Sequence, residues 1–323
     1  MKPTPLIPQE VYLLERYSSL DYFGTMRDAF EACVRAAEGA LAEFMKQLPP
    51  DYRNQPLFKQ PDRTWGETVI PNLQWALRGL NEGFIVLSHG DADALGMAGN
   101  VNTSFTAIQR DYDCEWMPEP YYSKYDNNEI IARELAFNIS YTEQGNWKIG
   151  SLTTRYQAIS RGPLDAPSSW PLYRLNSSVR VGPSEKVIQS GVYLPDAPNS
   201  CAQFLVAGYT PPEANVQPTP DELNEQGYFR QPTERHPATW TLIERVADSG
   251  GGTGCDPQGS AGEQKGRPNV PAGQPCPEAG WWFTPAKPNS RRHFKQGETM
   301  PSVGGDYGQT FWQWSPDQSA PKL

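Results

Sequence analysis

The chain has 323 residues, 37% of them hydrophobic, with 10 Trp, 15 Tyr and 12 Phe, enough to fill a large core despite 32 Pro and 28 Gly. That composition excludes global disorder. The net charge of −9 is concentrated at the front: residues 1–126 hold 11 Lys+Arg against 18 Asp+Glu, and residues 127–323 hold 17 against 19. This distribution argues against non-specific nucleic-acid binding and for a basic protein partner, because complementary fields steer association.

The opening "MKPTPLIPQEVYLLERY" lacks the apolar run of a signal peptide, and no apolar stretch of about 18 residues follows. A cytoplasmic protein that makes no membrane contact is expected. Five widely spaced cysteines contain no metal-knuckle pair, and with no export signal they are expected as thiols. Cys255 and Cys276 flank a Gly-rich stretch and could pair under oxidation.

The first third reads as a helical domain over residues 1–126. In "MRDAFEACVRAAEGALAEFMKQLPP", Phe30, Cys33, Ala37, Leu41, Phe44 and Leu48 recur at helical spacing. Glu31–Arg35 forms an i,i+4 pair and Pro49-Pro50 is the stop. In "ETVIPNLQWALRGLNEGFIVLS", Leu73, Ala76, Leu77, Leu80, Phe84 and Leu87 share a face, and Gly79 and Gly83 predict close contact with a neighbouring element. "SHGDADALGMAGNVNTSFTAIQRDYD" predicts a third helix capped by Asp91 or Asp93. An antiparallel bundle is the natural packing.

Residues 127–323 change texture and are expected to form a β-rich domain. "NEIIARELAFNISY" reads as a short helix entering a strand. "WKIGSLTTRYQAIS", "KVIQSGVYLP", "CAQFLVAGY", "TWTLIERV" and "QTFWQWS" read as strands bounded by Gly, Pro and Asn. Residues 248–275 are too poor in apolar side chains to pack and predict a flexible loop. The fold class is therefore α+β.

The β-rich part contains a duplication. "SGVYLPDAPNSCAQFLVAGYTPP" (Ser190–Pro212) is echoed by "AGWWFTPAKPNSRRHFKQGETMP" (Ala279–Pro301), at an offset of 89 residues at both ends and 90 in the middle. Phe204 aligns with Phe294, and a Trp-containing strand closes each copy. The units span about 184–246 and 276–316. Two small β units lacking a core of their own are expected to pack into one domain.

No catalytic constellation is apparent. The three histidines, His89, His236 and His293, fall in unrelated contexts. "SHGD" reads as a helix start, and "GGGTG" lacks the Lys-Ser/Thr of a phosphate loop. No cofactor or metal is expected. The stretch "RDYDCEWMPEPYYSKYDNNE" interleaves acids with aromatics, which suits an interface with a basic cleft. Asp111, Asp113, Glu115, Glu119, Tyr121 and Tyr122 are its candidate contacts. The competing reading is an inter-domain connector whose aromatics pack inward.

Three stretches carry a resemblance: "SSLDYFGTMRDAFEACVRAAEGAL", "DRTWGETVIPNLQWALRGLNEGFIVLSHGDADALG" and "CPEAGWWFTP…RRHFKQGETMPSVGGDYGQTFWQW". Together they resemble the bacterial polymorphic-toxin immunity families numbered seventy-one and seventy-two. The likeness runs over most of the chain and is weakest around Gly250–Gly273. It implies a protein that guards its cell against a toxin domain delivered by type VI secretion or an Rhs-type carrier, by binding it 1:1 and occluding its active site. It assigns no binding residue. Two alternatives stand beside it: an enzymatic antidote, and a glycan or small-molecule sensor stacking ligands on Trp281, Trp282, Trp312 and Trp314.

Overall fold

Ser19 starts the longest helix: its hydroxyl accepts the Tyr22 N–H at 3.2 Å, and the chain then runs unbroken from Leu20 to Phe44. The computed structural model of the chain describes residues 4–217, 234–251, 270–284, 290–303 and 310–315. Among these the helices are α1 (Pro8–Tyr17), α2 (Leu20–Phe44), α3 (Ile70–Ser88), α4 (Gly99–Asp111), α5 (Tyr121–Glu143) and the short α6 (Ala158–Arg161). A π-helical segment, Asp62–Val69, leads into α3, and a 3-10 segment, Ala92–Ala98, leads into α4. Asp91 caps the latter by accepting the Asp93 N–H, whereas Ser88 and His89 of "SHGD" close α3 rather than open a helix. No helix among the described residues is long and apolar enough to cross a membrane.

Helix α5 crosses the expected boundary at residue 126 and replaces the helix-to-strand reading of "NEIIARELAFNISY". Its buried stripe, Tyr125, Glu129, Ala132, Ala136 and Ile139, has helical spacing. A carboxylate in that stripe and the exposed Ile130 and Ile131 mask the period in the sequence. The stripe packs along α2, whose Ala29, Ala36, Ala37 and Ala40 bring the two backbones close. Gly83 meets Met97 as the close-contact reading expects, but Gly79 has open space where a Cβ would stand. "WKIGSLTTRYQAIS" forms turns and α6 in place of a strand, with Gly150 at a φ of +78°.

The strands are β1 (Leu172–Val181), β2 (Gly191–Pro195), β3 (Gln203–Leu205), β4 (Ala214–Val216), β5 (Glu234–His236), β6 (Trp240–Ala247), β7 (Val270–Pro271), β8 (Gly280–Phe283), β9 (Arg292–Phe294) and β10 (Phe311–Trp314). The expected loop 248–275 ends sooner, at β7, and its residues 252–269 lie outside the described ones. So does Cys255, whereas Cys33, Cys114, Cys201 and Cys276 carry thiols.

The chain divides into two compact units, residues 1–255 and 256–323. The copies therefore do not share one β domain; each builds its own sheet in its own unit. In the first unit the order is β1-β6-β2-β3, and in the second β7-β10-β8-β9. These are the same arrangement, strand for strand, and every neighbouring pair is antiparallel. The duplication thus reaches back to Val181 and Val270, which stand opposite Trp240 and Trp312.

Gly191 pairs with Leu205 and Gly280 with Phe294, so the offset across both strands is a constant 89. Phe294 corresponds to Leu205, not to Phe204 as the sequence alignment has it. Period-2 alternation gives the reason. Leu205 and Phe294 each point into the core of their own unit, while Phe204 points the other way, into the helical core.

The matched detail extends to hydrogen bonds. Tyr193 Oη donates to Gln189 O at 2.7 Å, and Trp282 Nε1, 89 positions on, to Glu278 O at 3.1 Å. Gly208 and Gly297 both turn at positive φ (+88° and +81°), and their N–H groups bond to Val187 O and Cys276 O, each at 2.7 Å. Each copy stands alone because it has its own core. Val181, Val187, Tyr193, Leu205, Trp240 and Leu242 form one, and Val270, Cys276, Trp282, Phe294, Met300 and Trp312 the other.

Candidate functional site

The six candidate contacts run from the last residue of α4 (Asp111) through the connecting turn (Asp113, Glu115, Glu119) to the first residues of α5 (Tyr121, Tyr122). Trp65 Nε1 donates to Asp113 O at 2.9 Å, and the Asp113 carboxylate accepts the Glu115 N–H at 2.8 Å. The second bond is an Asx turn, which fixes the backbone locally. Behind it an aromatic cluster forms edge contacts: Trp116 with Phe44 at 5.7 Å and with Trp65 at 5.5 Å, and Trp65 with Tyr125 at 5.6 Å. Tyr121 packs over Gly39, where a Cβ would stand 2.4 Å from its Cε1.

The segment therefore divides its labour. Trp116, Tyr121 and Tyr125 turn inward, as the connector reading has it, while Asp111, Asp113, Glu115 and Glu119 are exposed and Tyr122 is 40% exposed. Five of the six candidates form an exposed ledge leading into α5. Asp111 closes α4, Asp113, Glu115 and Glu119 lie in the connection, and Tyr122 is in the first turn of α5, whereas Tyr121 packs against Gly39. The charges of the ledge are not equivalent. Arg110 grips Asp111 with two hydrogen bonds (2.8 and 2.6 Å), and this contact holds the Asp111 carboxyl below the usual range. Glu119 accepts the Ser123 hydroxyl at 2.7 Å and the Ser123 N–H at 3.4 Å in the first turn of α5. Beneath the ledge Glu129 is buried, held by Gln109 at 2.7 Å and Arg133 at 3.3 Å. Burial raises its pKa against the pull of Arg133.

A second concavity went unread in the sequence. A cleft of about 330 Å³ opens between the end of α5 and the first repeat, lined by Asp93, Glu143, Gln144, Val187 and residues 204–206 and 209–212. Tyr209 Oη donates to Asp93 at 2.7 Å. Burial and the Asp93 charge both raise the pKa of Glu143. The cleft is a negative slot with apolar walls, suited to the tip of a basic side chain. Its residues come from three distant segments, and only the repeat's Gly208 turn offers a sequence signal for one of them.

The remaining chemistry-bearing side chains are dispersed. His89 closes α3 through Ile85 O at 2.7 Å, His236 pairs with Glu234 at 3.0 Å, and His293 meets the Trp281 ring edge-on at 5.6 Å. Among the described residues no group of three or more His, Cys, Asp or Glu is placed to hold a metal ion. Of the four tryptophans in the ligand-platform reading, Trp282 and Trp312 are core residues at 0% and 1% exposure and cannot stack on a ligand. No family model, curated protein or solved structure matches the chain.

Proposed function

We propose that this chain is a cytoplasmic immunity protein. It binds a cognate bacterial toxin domain 1:1 and covers that domain's basic active-site cleft with the acidic ledge at the head of α5. The observation that carries the reading is the ledge's construction. Exposed carboxylates and Tyr122 sit on a turn locked from behind by Trp65, Trp116 and Tyr125, so little conformational entropy is lost on docking. Burial of the flanking aromatics leaves charge as the chief recognition signal, which favours fast, salt-sensitive association.

Titrating protection tests the proposal. The chain is co-expressed at graded ratios with the toxin domain encoded beside it, and toxicity is scored. Protection that disappears once the toxin exceeds the chain is the expected result. Protection at a small fraction of the toxin amount would instead make the chain an enzymatic antidote. Within a stoichiometric response, Asp113→Lys with Glu115→Lys should abolish protection; unaltered protection removes the ledge from the interface.

A further inference from the structure

Helix α3 carries only two charged side chains in 19 residues, Arg78 and Glu82, and both lie on its solvent side. That side is otherwise largely apolar: Trp75 is 76% exposed, Ile85 57% and Val86 39%. Pro71, Trp75, Arg78, Glu82, Ile85 and the cap residue His89 are all exposed, and they recur at alternating steps of four and three. This is the spacing of a seam along which one helix packs on another. The buried stripe of α3, Leu73, Ala76, Leu80 and Gly83, lies on the other side of the helix, against α2 and the 3-10 segment.

The exposed row is self-complementary when reversed. Trp75 and Ile85 stand at equal distances on either side of Leu80, and so do Arg78 and Glu82. When two copies of α3 lie antiparallel about a two-fold axis at that point, Trp75 of each meets Ile85 of the other. The same register sets Arg78 of each against Glu82 of the other. A two-fold contact demands a patch that matches its own copy in this way. Arg78 Nε already donates to Glu82 of its own helix at 3.0 Å, so the copy closes a ring of alternating charges.

Gly79 supplies an independent observation. It stands next to Leu80, and a Cβ built there would have nothing within 4 Å. A glycine inside a helix lowers stability relative to alanine, and no neighbour within the chain requires this one. A hollow of about 270 Å³ opens at this point, lined by Trp75, Ala76, Arg78, Gly79, Glu82 and Asn100. A second backbone approaching the midpoint of the row gives the glycine its reason.

We propose that the exposed face of α3 is a dimer interface of this chain. Two copies pack their α3 helices antiparallel, with Leu80 beside the two-fold axis. The row shares no residue with the acidic ledge, so it stands or falls separately from the immunity reading.

Sedimentation equilibrium of the full-length protein tests this. A single helix pair makes an interface at the small end of specific ones, about 1,200 Å² or less, so a dissociation constant in the micromolar range is expected. Arg78→Glu sets a carboxylate against Glu82 of the copy, and Glu82→Arg sets a guanidinium against Arg78 of the copy. Each alone should weaken the dimer about tenfold or more, as should Trp75→Ala. Mixed together, the two charge variants are complementary again and should associate with each other. Gly79→Ala should raise the thermal midpoint of the dilute, monomeric chain while weakening association. These side chains lie away from the buried stripe, and far-ultraviolet circular dichroism checks that each variant keeps its helices.

A chain that stays monomeric up to about 1 mM overturns the proposal. So does a dimer that Trp75→Ala and Arg78→Glu leave unchanged, because it is then built on another surface. Charge variants that remain apart when mixed overturn the antiparallel register, and the proposal with it. A monomeric chain in which Trp75→Ala abolishes protection against the toxin would seat the toxin domain on α3 and exclude the second copy.

Discussion

Trp240 and Trp312 occupy the same point of two separate sheets, and each indole N–H donates to the proline that ends a Gly-x-Thr-x-Pro turn, Pro212 at 3.2 Å and Pro301 at 2.8 Å. Both side chains are at most 1% exposed. The indole closes the fourth strand of each copy onto the turn after the third. Replacing a core Trp by Ala costs about 3–5 kcal/mol through lost burial and the cavity left behind. In a unit as small as the second, that is enough to remove its folding transition. Trp312→Ala should therefore erase one calorimetric transition and leave the other in place. An equal downward shift of a single common transition would show that the units unfold together.

The duplication was legible in the sequence because its shared residues are turn formers and anchors whose spacing survives substitution. The strand register was not. Phe204 and Phe294 match by identity but face opposite sides of their sheets, since one residue of slip reverses every side chain. The same limit applied to α5, where Glu129 sits in the buried stripe and two isoleucines lie outside it. The ledge was legible as a contiguous stretch. The cleft at Asp93, Glu143 and Tyr209 was not, because tertiary folding assembles it from three segments.

Gly39 is the silent support of the ledge. A Cβ there would meet Tyr121 Cε1 at 2.4 Å and Cδ1 at 2.9 Å, so Gly39→Ala must push the ring off α2. Overpacking of this kind costs about 1–3 kcal/mol, set against the small gain in helix propensity that alanine brings. The thermal midpoint of Gly39→Ala should fall, and Tyr121→Ala in the same chain should recover most of the difference. A double-mutant cycle measures that coupling. Additive losses would mean that the ring is not what the new methyl meets.

Trp65 ties the ledge to the bundle through its bond to Asp113 O. Trp65→Phe keeps most of the aromatic contact with Trp116 and Tyr125 and removes the donor, which costs about 1 kcal/mol. The loss should be local. Amide exchange at residues 113–117 should accelerate while exchange in the middle of α2 is unchanged. Uniform acceleration through the bundle would assign Trp65 a general packing role instead.

Glu10 sets the pH dependence of the first unit. Burial pushes its pKa from 4.5 to about 7, and the Ala202 N–H pulls weakly the other way. The buried Cys201 thiol, itself pushed up by burial and then by Glu10, lies in the same field, as does the Arg155 guanidinium. Because the folded pKa is above the unfolded one, the native state holds the proton that the unfolded state gives up. The neutral carboxyl's contribution is fully present below pH 4.5 and is lost as pH rises through about 7. A shift of this size is worth up to about 3 kcal/mol. Glu10→Gln keeps an acceptor for the Ala202 N–H and never ionises. Its stability should match the parent near pH 4.5 and exceed it at pH 8, with the gap opening between those values. Denaturant unfolding across that range measures the gap. A parent and variant that run parallel at every pH would mean that Glu10 titrates at its ordinary value and that the seat of α1 on the first sheet is open to water.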